Sequence, residues 1–415
     1  MDNVTHALAG LLLADIAVRV LERHEGTSLA RPVRRTAAVL GVVAAEFPDL
    51  DILYAGPVLG MGKLGYLLHH RGHTHTLLLA IVAAFVLWGL AMALQRSVRN
   101  GPARSTMLWL ALAGTLSHIA LDYTNSYGVH PFWPLYNGWV YGDAVFIVDP
   151  WLWVLGIPPL LVGPRGPVGR GLLGVALVAI LVAAFTLGVV PPTLAAALAV
   201  VAVGWLAVLW RVGGTRRLTL AVAAWVGIEG LSFAASASAR RAVVGAVPSG
   251  VADVVLTAAA ANPLCFDALV VEVDGDRYRA SRATVAAWPR VSTAAACGGT
   301  PARAAPFGVP VAGLGGGLQP SPRAPSEAIV WRQVWSAPRG ELLAMVERCD
   351  VRAALGFMRV PVWEVAPDGA VRLSDLRYGF GGDGFADLAF PAQVGACPRF
   401  VPPWTPPRAA ELSAP

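Results

Sequence analysis

Four short stretches of the 415-residue chain gather seven of its eight histidines. "VTHALAG" supplies His6, and "EFPDLDIL" supplies Asp49 and Asp51. "HHRGHTH" supplies His69, His70, His73 and His75 around Arg71, and "LSHIALDYTNSYGVHPF" supplies His118, Asp122 and His130. Only His24 lies elsewhere. Each stretch alone has a bland reading: Pro-Asp is a common turn, and a His/Asp pair four apart shares one helical face and can simply hydrogen-bond. Together they are harder to dismiss, because every stretch borders an apolar run. Ionisable groups near hydrocarbon cost roughly 2.5–3.5 kcal/mol at mid-bilayer and face a bundle interior or cavity. Imidazoles with carboxylates form the ligand set of Zn²⁺, Mn²⁺ or Fe²⁺, not of a soft thiolate site. The chemistry expected is that of a divalent metal.

Apolar helices must position these groups. The chain is 56% hydrophobic and 14% charged, against roughly a quarter charged in a soluble domain. A bilayer core takes about 20 apolar residues in a helix. Runs near 76–94, 105–122, 171–190, 194–210 and 218–238 meet or approach this. Three are weaker: 4–21 carries Asp15, 36–47 is short, and 151–163 contains Pro158-Pro159. The expectation is an all-α multi-pass bundle of about 8 crossings, some short or re-entrant, over residues 1–240, followed by a water-facing domain over 241–415.

Basic loops stay cytoplasmic. Arg23, Arg31, Arg34 and Arg35 mark one such loop, Arg96, Arg99 and Arg104 a second, Arg165 and Arg170 a third, and Arg211, Arg216 and Arg217 a fourth. Residues 122–150 hold no Lys or Arg and many Tyr and Trp, as at an outer headgroup interface. Alternation puts all four histidine and aspartate stretches on the extracytoplasmic side, with the C-terminal domain; Arg240 and Arg241 weigh mildly against that last step. The net charge of +6 is scattered, with no basic block among aromatics, so no nucleic-acid partner is expected. The first residues lack a basic n-region and are taken as retained.

All four cysteines (Cys265, Cys297, Cys349, Cys397) fall in the tail. An even number in one soluble domain fits disulfides in an oxidising compartment, with three connectivities open; four free thiols are the alternative. "ALVVEVDGDRYRAS" alternates about Asp274-Gly275 as a hairpin, and residues 286–327 read as an irregular connection. "AIVWRQVWSA" reads as a strand, "PRGELLAMVERC" as a helix opened by Pro338, and "FMRVPVWEVAPDGAVRLSDLRYG" as a second hairpin turning at Pro367-Asp368-Gly369. A small α+β domain on an antiparallel sheet follows, without a His/Asp/Ser cluster, so it reads as a cover or specificity element.

The N-terminal "TH", then "PDLD", "HRGHTH", "HIALDYTNSYG" and "VDPWLW", in that order over about residues 1–155, resemble the bacterial membrane-bound metal-dependent hydrolases described as LexA-regulated, the YdjM-like group. "LSDLRYG" is similar to the ending of longer members. Carried over by residue, the resemblance implies His6, Asp49, Asp51, His70, His75, His118 and Asp122 as metal ligands. It places Arg71 and Asp149 close by as catalytic candidates, while His69 and His73 look dispensable. It implies a bacterial inner-membrane hydrolase.

Seven ligand candidates exceed the three or four of one catalytic zinc, so one or two metals per chain are expected. Paired metals suit phosphoester hydrolysis, with Arg71 forking onto phosphate or else pairing with Asp49 or a lipid headgroup. The expected partner is membrane lipid, and the expected substrate a phospholipid or lipid-linked phosphoester at the outer interface. The rival reading is a metal that is only bound or transported, although transporter sites usually lie at the midplane. A second rival makes the exported tail the working part of a binding or assembly module.

Overall fold

Helix forms over all eight apolar runs. In the computed structural model, which describes residues 1–56, 58–247, 249–297, 317–380 and 384–412, α1 covers Asn3–Glu25, α2 Arg31–Glu46, α3 Leu77–Leu94 and α4 Gly101–Tyr123. After them come α5 Pro150–Leu161, α6 Pro167–Thr186, α7 Pro192–Arg211 and α8 Gly214–Ala246. Among the described residues five helices, α1, α3, α6, α7 and α8, are long and apolar enough to cross a membrane. With 12 residues, α5 falls short of the roughly 17 a crossing needs.

The chain folds as two compact units. Unit one is Met1–Leu50, His73–Trp133 and Val145–Leu231; unit two is Asp51–Gly72, Pro134–Ala144 and Ser232–Pro415.

In unit one, α1 opens on Asp2, whose carboxylate accepts from the Thr5 amide at 3.0 Å, and ends on Gly26 at φ 70°. Thr76 caps α3 by accepting from the Leu79 amide at 3.1 Å. These caps satisfy the orphan groups of the helix ends. Helices α1, α2 and α4 meet through small residues. A Cβ on Gly10 would stand 2.3 Å from the Gly41 oxygen, and one on Gly114 would stand 2.6 Å from the Ala44 Cβ. Only glycine permits such close backbone approach. Between these helices and α3, Leu21, Leu40, Leu87, Met107 and Leu110 fill the core.

Two polar anomalies of the sequence are resolved by partners. Asp15, mid-way along α1, pairs with Arg165 at 2.9 Å. Pro159 has no amide to offer the Leu155 oxygen four residues back, and the Trp205 indole on α7 donates to it instead at 3.1 Å.

In unit two, β1 Val251–Ala259, β2 Asn262–Asp274, β3 Arg277–Ala286, β4 Gln319–Pro320 and β5 Ile329–Pro338 form an antiparallel sheet in the order β1-β2-β3-β5-β4. A second sheet pairs β6 Pro361–Val365, β7 Val371–Asp375 and β8 Asp387–Phe390. Both expected hairpins are present. The first turns through Gly275 at φ 57° with Asp274 opposite Arg277, and the second carries Gly369 at φ 86°. Helix Arg339–Val346 follows Pro338. Strands β1 and β8 were not expected, nor was β4, which falls within the stretch 286–327 read as an irregular connection. Of the irregular connection, 298–316 lies outside the described residues.

The cysteines pair as Cys265–Cys297 and Cys349–Cys397. Tyr278, Trp335 and Trp363 pack edge-on or tilted in the core, with Trp335 and Trp363 ring centres 4.5 Å apart. The motif "LSDLRYG" is built into this unit: buried Asp375 accepts from the amides of Arg359 and Arg377 and pairs with the Arg377 guanidinium at 2.7 Å.

Candidate metal centre

Every donor in unit one sits where a helix begins or ends. Pro48 opens no further turn of α2 and the chain tightens into a 3-10 turn, Phe47–Asp51, which carries Asp49. His75 closes the short turn His73–His75, one residue before the α3 cap. His118 and Asp122 occupy successive turns of α4, as their spacing required.

These four converge. Asp49, His75, His118 and Asp122 each offer a donor atom, and all four atoms lie within 4.8 Å of one another. His75 Nε2 stands 3.0 Å from Asp122 Oδ2 and 3.4 Å from Asp49 Oδ1. The corresponding distances from His118 Nε2 are 3.3 and 3.4 Å, and the two Nε2 atoms are 3.0 Å apart. Zinc bonds of about 2.0–2.1 Å in a tetrahedron hold their donor atoms about 3.3 Å apart. The spacing fits a small divalent cation.

The imidazoles are oriented for that purpose. His118 Nδ1 donates to the Ala45 oxygen at 2.5 Å, and His75 Nδ1 is bonded to Thr74 Oγ1 at 3.0 Å. With Nδ1 engaged, each ring turns Nε2 inward, the arrangement that outer partners give metal-binding histidines. A proton could bridge the two Nε2 atoms, but it would leave two carboxylates sharing it. A dication neutralises both. His118 and Asp122 are fully buried and His75 likewise, whereas the Asp49 side chain is 10% exposed. Burial disfavours the Asp49 anion, yet hydrogen bonds from His118 and His75 outweigh it and hold this carboxyl below the usual carboxylate range. It is therefore in the form that binds metal.

His6 joins from the first turn of α1. Its ring stacks on His118 at 3.7 Å and Nε2 lies 3.4 Å from Asp122 Oδ1, while among the described residues neither ring nitrogen has a hydrogen-bond partner. A buried imidazole with both nitrogens idle is costly, and it fits a ligand or a brace beside one. The Met1 ammonium contacts the same Asp122 oxygen.

Of the remaining candidates, Asp51 and His70 are also among the carboxylate and imidazole donors grouped closely enough to hold a metal ion. In unit two, Asp51 bonds His70 Nδ1 through one oxygen and the Arg71 amide through the other, both at 2.9 Å. Arg71 is buried at φ 60°, a left-handed conformation costing roughly 1–2 kcal/mol in a non-glycine residue. Asp149 caps α5, accepting from the Trp151 amide at 2.8 Å; burial pushes it up to about 7. His69 Nε2 bonds the Phe400 oxygen at 2.9 Å, and His73 meets Trp133 edge-on. Sequence reasoning missed Thr74 and the Ala45 carbonyl. The hydroxyl beside a motif histidine was a usable signal; a backbone oxygen from another helix leaves none.

Residues 1–190 match the model of the YdjM inner membrane protein family. No curated protein and no solved structure matches. The family match and the long apolar helices mark the chain as a membrane protein, and its cluster of Asp49, His75, His118 and Asp122 is able to hold a metal ion.

Proposed function

We propose that the chain is a metal-dependent hydrolase acting on a lipid-linked phosphoester at the outer face of a bacterial inner membrane. The observation that carries this reading is the set of four converging donors at helix ends beside apolar spans. His75, His118 and Asp122 are the deeply buried three, the number of protein ligands a catalytic zinc retains. Asp49, the most exposed, marks the side from which water and substrate arrive. A bound divalent cation supplies Lewis-acid polarisation of a phosphoryl oxygen. Water oxygen adds to phosphorus as the P–O ester bond breaks; one proton leaves with the ester oxygen and the other passes by way of Asp49 to solvent. His6, stacked on His118 and beside Asp122, holds both in place.

One observation favours a second reading, metal binding without turnover: four protein donors around one cation is the closed form typical of structural zinc. Metal analysis of the purified protein, then a phosphoester screen with and without chelator, separates the two. Chelator-sensitive hydrolysis lost in Asp49→Asn supports the enzyme. Stoichiometric metal with no hydrolysis of any phosphoester leaves the metal and removes the enzyme.

The two disulfides support an extracytoplasmic tail. A cysteine at Asn137 is then expected to react with an impermeant thiol reagent in intact cells. Labelling only after lysis reverses the orientation.

A further inference from the structure

Helices α2 and α3 enclose a groove of about 780 Å³ that plays no part in the metal centre, within the range of roughly 300–1,000 Å³ of ligand sites. Its two ends differ in chemistry. Arg31 and Arg35 line one end, and Val39, Val43, Leu87 and Leu90 continue it as hydrocarbon. The arginines are four apart and so share a face of α2. Neighbouring arginines are spent on the fold: Arg34 Nε donates to the Leu29 oxygen at 2.9 Å, and Arg99 donates to Met92 and Ala93 oxygens at 2.6 Å. Among the described residues no hydrogen bond or ion pair engages Arg31 or Arg35. The first turn of α2 also lacks a side-chain cap, so its amides add positive potential at the same end.

We propose that this groove binds an anionic phospholipid, with the phosphate between Arg31 and Arg35 and an acyl chain along Val39, Val43, Leu87 and Leu90. Free phosphate would satisfy the arginines and leave the apolar wall bare. A zwitterionic lipid would cover the wall but bring its own cation against two guanidiniums. Only an anionic amphiphile matches both ends. Along α2, Arg31 lies about 22 Å from Glu46 at 1.5 Å per residue, and Asp49 follows Glu46. The groove is therefore a second lipid site, independent of the metal-site reading.

Native mass spectrometry of the full-length protein in detergent tests this, using phosphatidylglycerol, phosphatidylcholine and inorganic phosphate as probes. The wild type is expected to retain phosphatidylglycerol about tenfold more tightly than phosphatidylcholine, equivalent to about 1.4 kcal/mol. In the Arg31→Gln/Arg35→Gln double variant that preference disappears. Arg211→Gln, at an exposed helix end outside the groove, preserves it. Leu90→Trp, which fills the apolar wall, weakens both lipids and serves as a second variant should the double variant elute as aggregate. Equal retention of the two lipids by wild type, or an unchanged preference in the double variant, overturns the proposal. Displacement of phosphatidylglycerol by millimolar inorganic phosphate also overturns it, because the site would then read the anion alone.

Discussion

Two buried polar clusters invite comparison. In unit two, the Arg359 guanidinium is clasped by Asp143 at 2.7 and 2.9 Å and by Asp253 at 2.8 Å, lies 3.9 Å over the Tyr141 ring, and is flanked by Arg240 and Arg408. In unit one, Asp49, His75, His118 and Asp122 crowd as closely. The first cluster has a guanidinium for every carboxylate. The second has two carboxylates and inward-turned Nε2 atoms, with the Met1 ammonium against one oxygen of Asp122. Burying an ion is tolerated only with good compensation, so a closed cluster reads as architecture and an open one as a place for a ligand.

Removing a donor should break the open cluster completely. His75→Ala or Asp122→Ala is expected to lower metal affinity by more than about 100-fold, beyond the range for loss of an outer partner. Metal content by mass spectrometry reads this, with His24→Ala, exposed and remote in sequence, unchanged. If both donor variants bind metal as wild type does, the open cluster is not a metal site.

Breaking the closed cluster should cost stability and not metal. Arg359→Ala leaves Asp143, which is 1% exposed, with Arg240 as its remaining guanidinium partner, and is expected to destabilise unit two by about 3 kcal/mol, the low end for breaking a buried pair. Denaturant titration followed by tryptophan emission measures it; an unaltered midpoint would make the cluster ornamental.

A smaller effect distinguishes orientation from ligation. Thr74→Val removes the hydroxyl at His75 Nδ1 and is expected to weaken metal binding by about 10-fold, without altering stoichiometry at saturation. Unchanged affinity would show that the His75 ring is held by packing alone.

Acid should separate the clusters most gently. Burial raises Asp253, but Arg359, Arg408 and Arg240 together bring it below its ordinary value. A carboxyl lowered on folding contributes stability above its unfolded value of about 3.9, and that stability is lost as pH falls through the lower folded value. Asp253→Asn should flatten the acid limb of the stability curve below about pH 4; an unchanged limb would assign acid sensitivity elsewhere.

How much of this was legible follows from the range of each interaction. His118 and Asp122 announce themselves because α-helical periodicity places them on one face. Their meeting with Asp49 and His75 was only inferable from topology, and it rests on Gly10, Gly41 and Gly114, whose value as contact points shows only when the partner helix is known. Hairpins at Gly275 and Gly369 were readable from local turn chemistry. Asp51 and His70 belong to the carried-over ligand set, but their mutual bond spans 19 positions, and no local rule selects it. The partner of Arg359 was equally hidden, since Asp143 lies 216 positions away.

The bond from Trp205 to Leu155 sets a schedule for biogenesis. The oxygen freed by Pro159 waits for an indole 50 positions further on. At synthesis rates of about 5–20 residues per second, that wait is roughly 3–10 s. An unpaired carbonyl is expensive in hydrocarbon, so α5 has reason to stay in a hydrated setting until α7 arrives. Ribosome-stalled chains ending before Trp205 should leave this segment extractable from the bilayer, and chains that include it should not.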